Sequence, residues 1–251
     1  MGATFTMITA CGPFTMDLAG TLNIFPFLKL LDFVSEHRPN VLLLLGPFIN
    51  SESKAVDKGT LDRLPEEIFF AEFITRLNRL LADLSNLQII IVPSTKDIMA
   101  DSIYPQPPYL ISEQQRIILA PNPALVSIDG STVYASSSEL LLSLGMAEYF
   151  KSPKDWDRHH RLCSYIHQQA SFYPLHPAPS GVNIDYNILH DLEFPEYPDF
   201  YICPSKLGCF ARSIEPTIYI NSGQLCKSAS LGTTALVTII DGDSRVDFYQ
   251  L

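Results

Sequence analysis

Four short turns carry the residues that could do chemistry together: "ACGPFT" (10–15), "LGPFIN" (45–50), "VPSTKD" (92–97) and "ICPSKL" (202–207). Each follows an apolar run and bends at a small residue or a proline. In open α/β sheets, ligands gather where such strands end, at the carboxyl edge. A hydrolytic metal centre there would need several Asp, His or Asn side chains aimed at the ions, to lower the pKa of a bound water. These turns offer Asp97 as their carboxylate and Asn50 as their carboxamide, beside Cys11, Lys96 and Lys206. The position is shaped for chemistry and lacks the reagents.

Other chemistry is thinner still. His159, Cys163 and His167 recur every fourth residue in "PKDWDRHHRLCSYIHQQA", a spacing that can put metal ligands on one helix face. Each such step drifts about 40° around a helix of 3.6 residues per turn, so three ligands converge poorly. The competing reading makes Trp156, Cys163, Ile166 and Ala170 a buried stripe with the histidines at its flanks. His176 sits in "YPLHP", and His37 and His190 stand alone. No G-x-S-x-G nucleophile elbow occurs, and "NSGQLCKSASLGT" lacks the G-x-x-x-x-G-K-[ST] phosphate loop.

The elements that must position the turns are legible from periodicity. Phe5–Cys11 reads as a first strand. Asn23–His37 carries Ile24, Phe27, Leu28, Leu31 and Val34 at helical spacing. "VLLLL", Val41–Leu45, suits a strand buried on both faces. A helix is predicted from Pro65, with Glu66 and Glu67 in its first turn and a core stripe of Phe70, Phe73, Ile74, Leu77, Leu80, Leu81 and Leu84. "LQIIIVP" supplies another buried strand. The second half predicts short strands in "RIILAP", "ALVSID", "STVYASS", "DFYICP", "TIYINS", "ALVTIID" and "RVDFYQL", with hairpin turns at Asp129-Gly130 and Asp241-Gly242. Helices are expected around Ser138–Leu144 and Pro153–Ala170. Alternating strands and helices, then more strands, predict an α/β sandwich of two mixed β-sheets flanked by helices, in a single domain over residues 1–251.

Composition narrows the function. The chain has 251 residues, enough for a substantial core, and a net charge of -10 from 17 basic and 27 acidic side chains. That balance argues against a broad phosphate-binding face, since nucleic-acid affinity rests on Lys and Arg. Five cysteines, widely spread and without a CxxC, read as free thiols of a reducing compartment. No apolar run is long enough for a transmembrane helix, so no membrane role is expected. "MGATFT" fits the myristoylation pattern M-G-x-x-x-T, but a strand from Phe5 leaves little free tail for a lipid.

The ordered turns resemble those of calcineurin-like metallophosphoesterases, which carry D-x-H, G-D-x-x-D, G-N-H-[DE] and G-H-x-H at successive strand ends. Laid on this sequence, the motifs fall first on Cys11, Gly12 and Pro13, and then on Gly46, Pro47 and Asn50. The third falls on Ser94, Thr95, Lys96 and Asp97, and the fourth on Pro204, Ser205, Lys206 and Leu207. Only Gly46 and Asp97 match, and Gly46 has no side chain to bind a metal. A scaffold retained with its metal centre erased is similar to the B subunits of eukaryotic replicative DNA polymerases. "ITACGPFT", "LLGPFIN", "IYPQPPY", "SFYPLHP" and "ICPSKL" resemble the polymerase α branch of that family, from about Phe5 to about Thr234.

This resemblance implies a nuclear, non-catalytic scaffold with no cofactor. Its partners would be the zinc-bearing C-terminal domain of the polymerase α catalytic subunit and, through the complex, the primase subunits. DNA would be met only indirectly. The family's N-terminal helical region and oligonucleotide-binding domain are not visible in this sequence. The stiff loop Tyr104, Pro105, Gln106, Pro107 and Pro108 is a candidate partner contact, because prolines lower the entropy lost on binding. The competing reading packs its tyrosines inward. A second functional reading is a residual metal-dependent phosphoesterase using Asp97, Asn50 and His167 or His176. A third is direct binding of single-stranded DNA, which the net charge opposes.

Overall fold

The computed structural model describes residues 4–18, 21–112, 114–149, 157–227 and 230–251; the starting Met1-Gly2 pair and Trp156 lie outside them. The first half builds β1 (Phe5–Cys11), β2 (Met16–Leu18), β3 (Thr21–Asn23), α1 (Phe25–His37), β4 (Val41–Leu45), α2 (Lys54–Asp57), α3 (Pro65–Ile68), α4 (Thr75–Asp83) and β5 (Gln88–Val92). Then come β6 (Ile117–Leu119), β7 (Ala124–Ile128), β8 (Ser131–Ala135), α5 (Leu140–Ala147), α6 (Arg158–Gln169), β9 (Phe200–Ile202), β10 (Phe210–Ile214) and β11 (Thr217–Asn221). The chain finishes with β12 (Cys226–Lys227), β13 (Ser230–Leu231), β14 (Thr233–Ile240) and β15 (Asp243–Gln250).

Two mixed sheets face each other, as expected. The first runs β15-β14-β1-β4-β5-β6, with its last four strands parallel; the second runs β10-β11-β9-β8-β7. Strand β4 shows why its sequence is continuously apolar. Leu42 and Leu44 point into a cluster with Phe27, Leu30, Phe73 and Leu77 from the helices. Val41, Leu43 and Leu45 point the other way, into the layer between the sheets with Val133, Ile202 and Val237. A third cluster covers the outer face of the second sheet, where Tyr134, Tyr201 and Tyr219 meet Leu141, Leu144, Leu162 and Ile166 of α5 and α6. The layers therefore run helix, sheet, sheet, helix. Fully burying each such aliphatic side chain contributes about 1.5–3 kcal/mol.

Several elements depart from expectation. Strands β2, β3, β10, β12 and β13 and the short helix α2 form where none was predicted. The helix from Pro65 passes through a widened π turn over Phe69–Ile74, ended by Thr75 N–H on the Phe70 carbonyl. That extra residue rotates the stripe: Phe69 is fully buried and Phe70 is 49% exposed, the reverse of the predicted pattern. The described helix α6 starts at Arg158, capped by Asp157, whose carboxylate accepts the His160 N–H. Both predicted hairpins turn on a left-handed pair, Asp129-Gly130 (φ 48° and 83°) and Asp241-Gly242 (φ 52° and 91°).

Candidate functional site

The parallel strands end side by side, and their turns are stitched to one another. Gly12 N–H donates to the Leu45 carbonyl at 2.8 Å, Gly46 N–H to that of Val92 at 2.9 Å, and Leu225 N–H to that of Cys11 at 2.8 Å. Both glycines are forced by close approach: a β-carbon on Gly12 would lie 2.0 Å from the Pro47 oxygen, and one on Gly46 3.0 Å from Ser94 and the Tyr109 hydroxyl.

The four turns do meet. Cys11 and Gly12, Gly46 and Pro47, Ser94, Thr95 and Lys96, and Pro204, Ser205 and Lys206 line one pocket of about 50 Å³. Pro13 and Asn50 line a neighbouring cavity of about 450 Å³ with Asp17, Glu52, Lys96 and Lys206. Leu207 packs against the core on the outer face of the second sheet. Asp97 belongs to neither cavity. The shared pocket has room for a water or two.

The polar groups around it are engaged in holding the turns. Asp97 is 3% exposed; its Oδ2 accepts Phe48 N–H and, at 2.9 Å, the Tyr109 hydroxyl, while Oδ1 accepts Met99 N–H at 3.3 Å. Burial pushes its pKa up to about 6, against the pull of those donors toward the charged form. The Cys11 thiol lies 3.5 Å from the Gly46 carbonyl oxygen, and burial holds its pKa far above the ordinary thiol value, so it remains protonated and unreactive. Asn50 turns its Oδ1 to Glu52 N–H at 3.1 Å, and Lys96 reaches outward to Glu52 at 3.0 Å.

Glu139, which the sequence did not single out, is the acidic group that enters the pocket. Its carboxylate accepts the Ser205 hydroxyl and, at 3.0 Å, the Lys206 N–H. Asn221 supports the same turn, accepting Ser205 N–H and Gly223 N–H, each at 2.8 Å. A Glu after three serines, more than sixty residues from its partners, carries no local signal of this role.

The histidines are dispersed. His159 stacks on Phe210 at 4.3 Å, and His167 stacks on Tyr197 at 4.4 Å with Nδ1 3.2 Å from the Tyr219 hydroxyl. Burial lowers the pKa of both rings. His176 meets Tyr186 edge-on at 5.2 Å. Among the described residues, no three His, Cys, Asp or Glu side chains gather as a metal ion requires. The proline loop splits by residue: Tyr104 and Gln106 are buried, Tyr104 against the Ser136 hydroxyl at 3.0 Å, while Pro105, Pro107 and Pro108 remain at or near the surface.

Compared with known proteins, residues 7–212, which span all four turns, match the sequence model of the B subunit of DNA polymerases alpha and epsilon. The chain belongs to that family. It is 32% identical over 233 residues to the mouse B subunit of DNA polymerase alpha, covering 90% of this chain and 38% of that protein. The bovine B subunit of DNA polymerase alpha is 33% identical over 214 residues, 83% of this chain and 35% of its own length. The chain thus spans well under half of the curated relatives it matches. Among solved structures, an archaeal phosphodiesterase overlaps 97% of this chain and 99% of its own, with a TM-score of 0.45 and 10% identity. The α-type relatives agree with the branch that "YPQPP" resembles.

Proposed function

We propose that this chain is a non-catalytic accessory subunit of DNA polymerase α–primase, acting in the nucleus. In this reading it docks the C-terminal zinc-bearing tail of the catalytic subunit during primer synthesis and meets primase through the complex. One observation carries the non-catalytic part. The strand-end pocket measures about 50 Å³, and Asp97, the carboxylate that family motifs would aim at a metal, is taken up by Phe48, Met99 and Tyr109. A phosphodiester hydrolase needs an open site and several convergent ligands. The acidic, proline-stiffened surface suits a protein partner better than a phosphate backbone.

Co-expression with the C-terminal tail of the cognate catalytic subunit tests the proposal. A one-to-one complex that survives gel filtration is expected, together with no turnover of bis-p-nitrophenyl phosphate in added Mn²⁺ or Zn²⁺. Metal-dependent turnover by the purified chain overturns the non-catalytic reading. A folded chain that never retains the tail overturns the docking.

A further inference from the structure

Strand β7 forms one edge of the second sheet, paired on one side only, with β8. Which of its main-chain groups face the open side follows from the register. On β8, Thr132 engages Asp199 through its N–H and its carbonyl, at 2.7 and 3.0 Å, on the side away from β7. Its opposite residue, Ser127, therefore sits in a non-hydrogen-bonded pair, as does Leu125 two residues earlier. The N–H and carbonyl groups of both point outward. Among the described residues, no other hydrogen bond reaches them from that side.

Beside this edge lies a groove of about 690 Å³ lined by Pro105, Pro107, Pro123, Leu125, Phe194 and Pro195. Leu125 is 45% exposed there. Prolines supply rigid apolar surface and no N–H. The charge in the groove is one-sided: Asp191 and Glu193 line it, and among the described residues no Lys or Arg does. His190, also in the lining, lies 3.1 Å from Asp191. The chain that follows adds Glu196 and Asp199, so residues 191–199 hold four acids and no base.

We infer that the edge of β7 and this groove bind an extended segment of a partner protein in which an apolar side chain has Lys or Arg two residues before or after it. The segment adds a strand to the second sheet through the main-chain groups of Leu125 and Ser127. Side chains two residues apart share the groove side of that strand, so the apolar one enters the proline-lined groove and a Lys or Arg two residues away meets Asp191 and Glu193. Phosphate-bearing ligands are disfavoured by the same carboxylates. This concerns the chemistry of the bound segment, whichever protein supplies it, and goes beyond the docking proposed above.

The test is selection of phage-displayed random dodecapeptides on the immobilised 251-residue chain, followed by fluorescence anisotropy with the enriched peptides. Enriched sequences with Lys or Arg two residues from an apolar residue are expected, with affinity that falls as NaCl rises. Ser127→Pro removes an outward N–H and leaves the β7–β8 ladder intact, so it should weaken binding about tenfold or more. The double change Asp191→Lys, Glu193→Lys, at exposed positions, should do the same and serves if Ser127→Pro misfolds. No enrichment, enrichment without basic residues, or binding unmoved by both variants overturns the inference. So does a dimer of the free chain that Ser127→Pro dissolves, which would assign the edge to a second copy. Running the polymerase-tail complex with both variants separates the two proposals: a tail retained by both leaves the docking intact and independent of this groove.

Discussion

Tyr109 donates its phenolic hydrogen to Oδ2 of Asp97 over 2.9 Å, and both residues are almost wholly buried. The last residue of the proline-stiffened "YPQPPY" segment thus closes on the strand-end carboxylate. Phe48 N–H reaches the same oxygen, so three separate loops meet on one acid. Asp97 acts as a structural bracket.

Removing that bracket should be strongly destabilising. Asp97→Ala leaves two buried donors, Phe48 N–H and the Tyr109 hydroxyl, and the half-buried Met99 N–H without an acceptor, and a loss of about 3–5 kcal/mol is expected. Its neighbour gives the contrast: the Lys96–Glu52 pair is exposed, so Lys96→Ala should stay within about 0.5 kcal/mol of wild type. Urea unfolding midpoints measure both. Equal effects would contradict the division of labour between the two residues.

Asp97 also sets a pH dependence whose sign is unusual for a carboxylate. Its pKa is raised to about 6 in the folded chain, from an ordinary value of 3.8. The folded state therefore holds the proton more tightly than the unfolded state. This group's contribution is fully present below about pH 4, declines as pH rises to about 6, and is flat above. The span is about 3 kcal/mol. Asp97→Asn should remove that slope, read as the difference between wild-type and variant stability from about pH 4 to about pH 7. A difference that grows in the opposite direction would show the carboxylate to be favoured in its charged form.

Tyr109→Phe deletes one donor to the same acid. With Asp97 ionised, a loss of about 1.5–3 kcal/mol is expected, since the bond is charge-assisted. At about pH 4, with Asp97 protonated, the loss should shrink to about 1 kcal/mol. Thermal melts at the two pH values decide it.

Gly12→Ala tests the packing of the turns. The added carbon would sit 2.0 Å from the main-chain oxygen of Pro47, which has no rotamer by which to retreat. A loss of at least about 3 kcal/mol, or failure to fold, is expected. Gly130→Ala, where nothing lies within 4 Å, should show only the smaller penalty of a positive φ of 83°.

Metal removal should be silent. Of the histidines of α6, His159 is engaged by Phe210 and His167 by Tyr197 and Tyr219, while His160 Nδ1 lies 3.5 Å from the Ser164 hydroxyl. Melting temperatures are expected to agree within a degree or so before and after EDTA, and with added Zn²⁺. A metal-dependent rise of several degrees would reveal a ligand set that these contacts do not disclose.

Much of this was legible in the sequence where one short stretch decides its own structure. "VLLLL" could only satisfy two apolar faces as an inner strand, and it became β4 with the predicted bounds. Asp-Gly between alternating runs marked both tight hairpins. Three of the turns meet because β1, β4 and β5 are parallel neighbours ending at one edge, and the fourth arrives from β9 of the facing sheet. What escaped depends on distant partners. Nothing near Glu139 announces that it will hold Ser205 and Lys206, and Tyr109's bond to Asp97 needs two loops brought together. The Phe69 and Phe70 exchange arises because a π turn breaks the 3.6-residue period on which the stripe was read.

Strand β14 lies between β1 and β15, pairing Phe5 with Ile239 and Thr9 with Ala235. Strand β1 thus gains this neighbour only from a strand more than two hundred residues later. During synthesis, β1, β4 and β5 emerge early with a long apolar flank still bare, and the ribosome must release residues 233–250 before that flank is covered. Folding of this sheet therefore waits on residues 233–250, and a nascent chain that has not yet delivered them carries an apolar flank open to aggregation or chaperone capture.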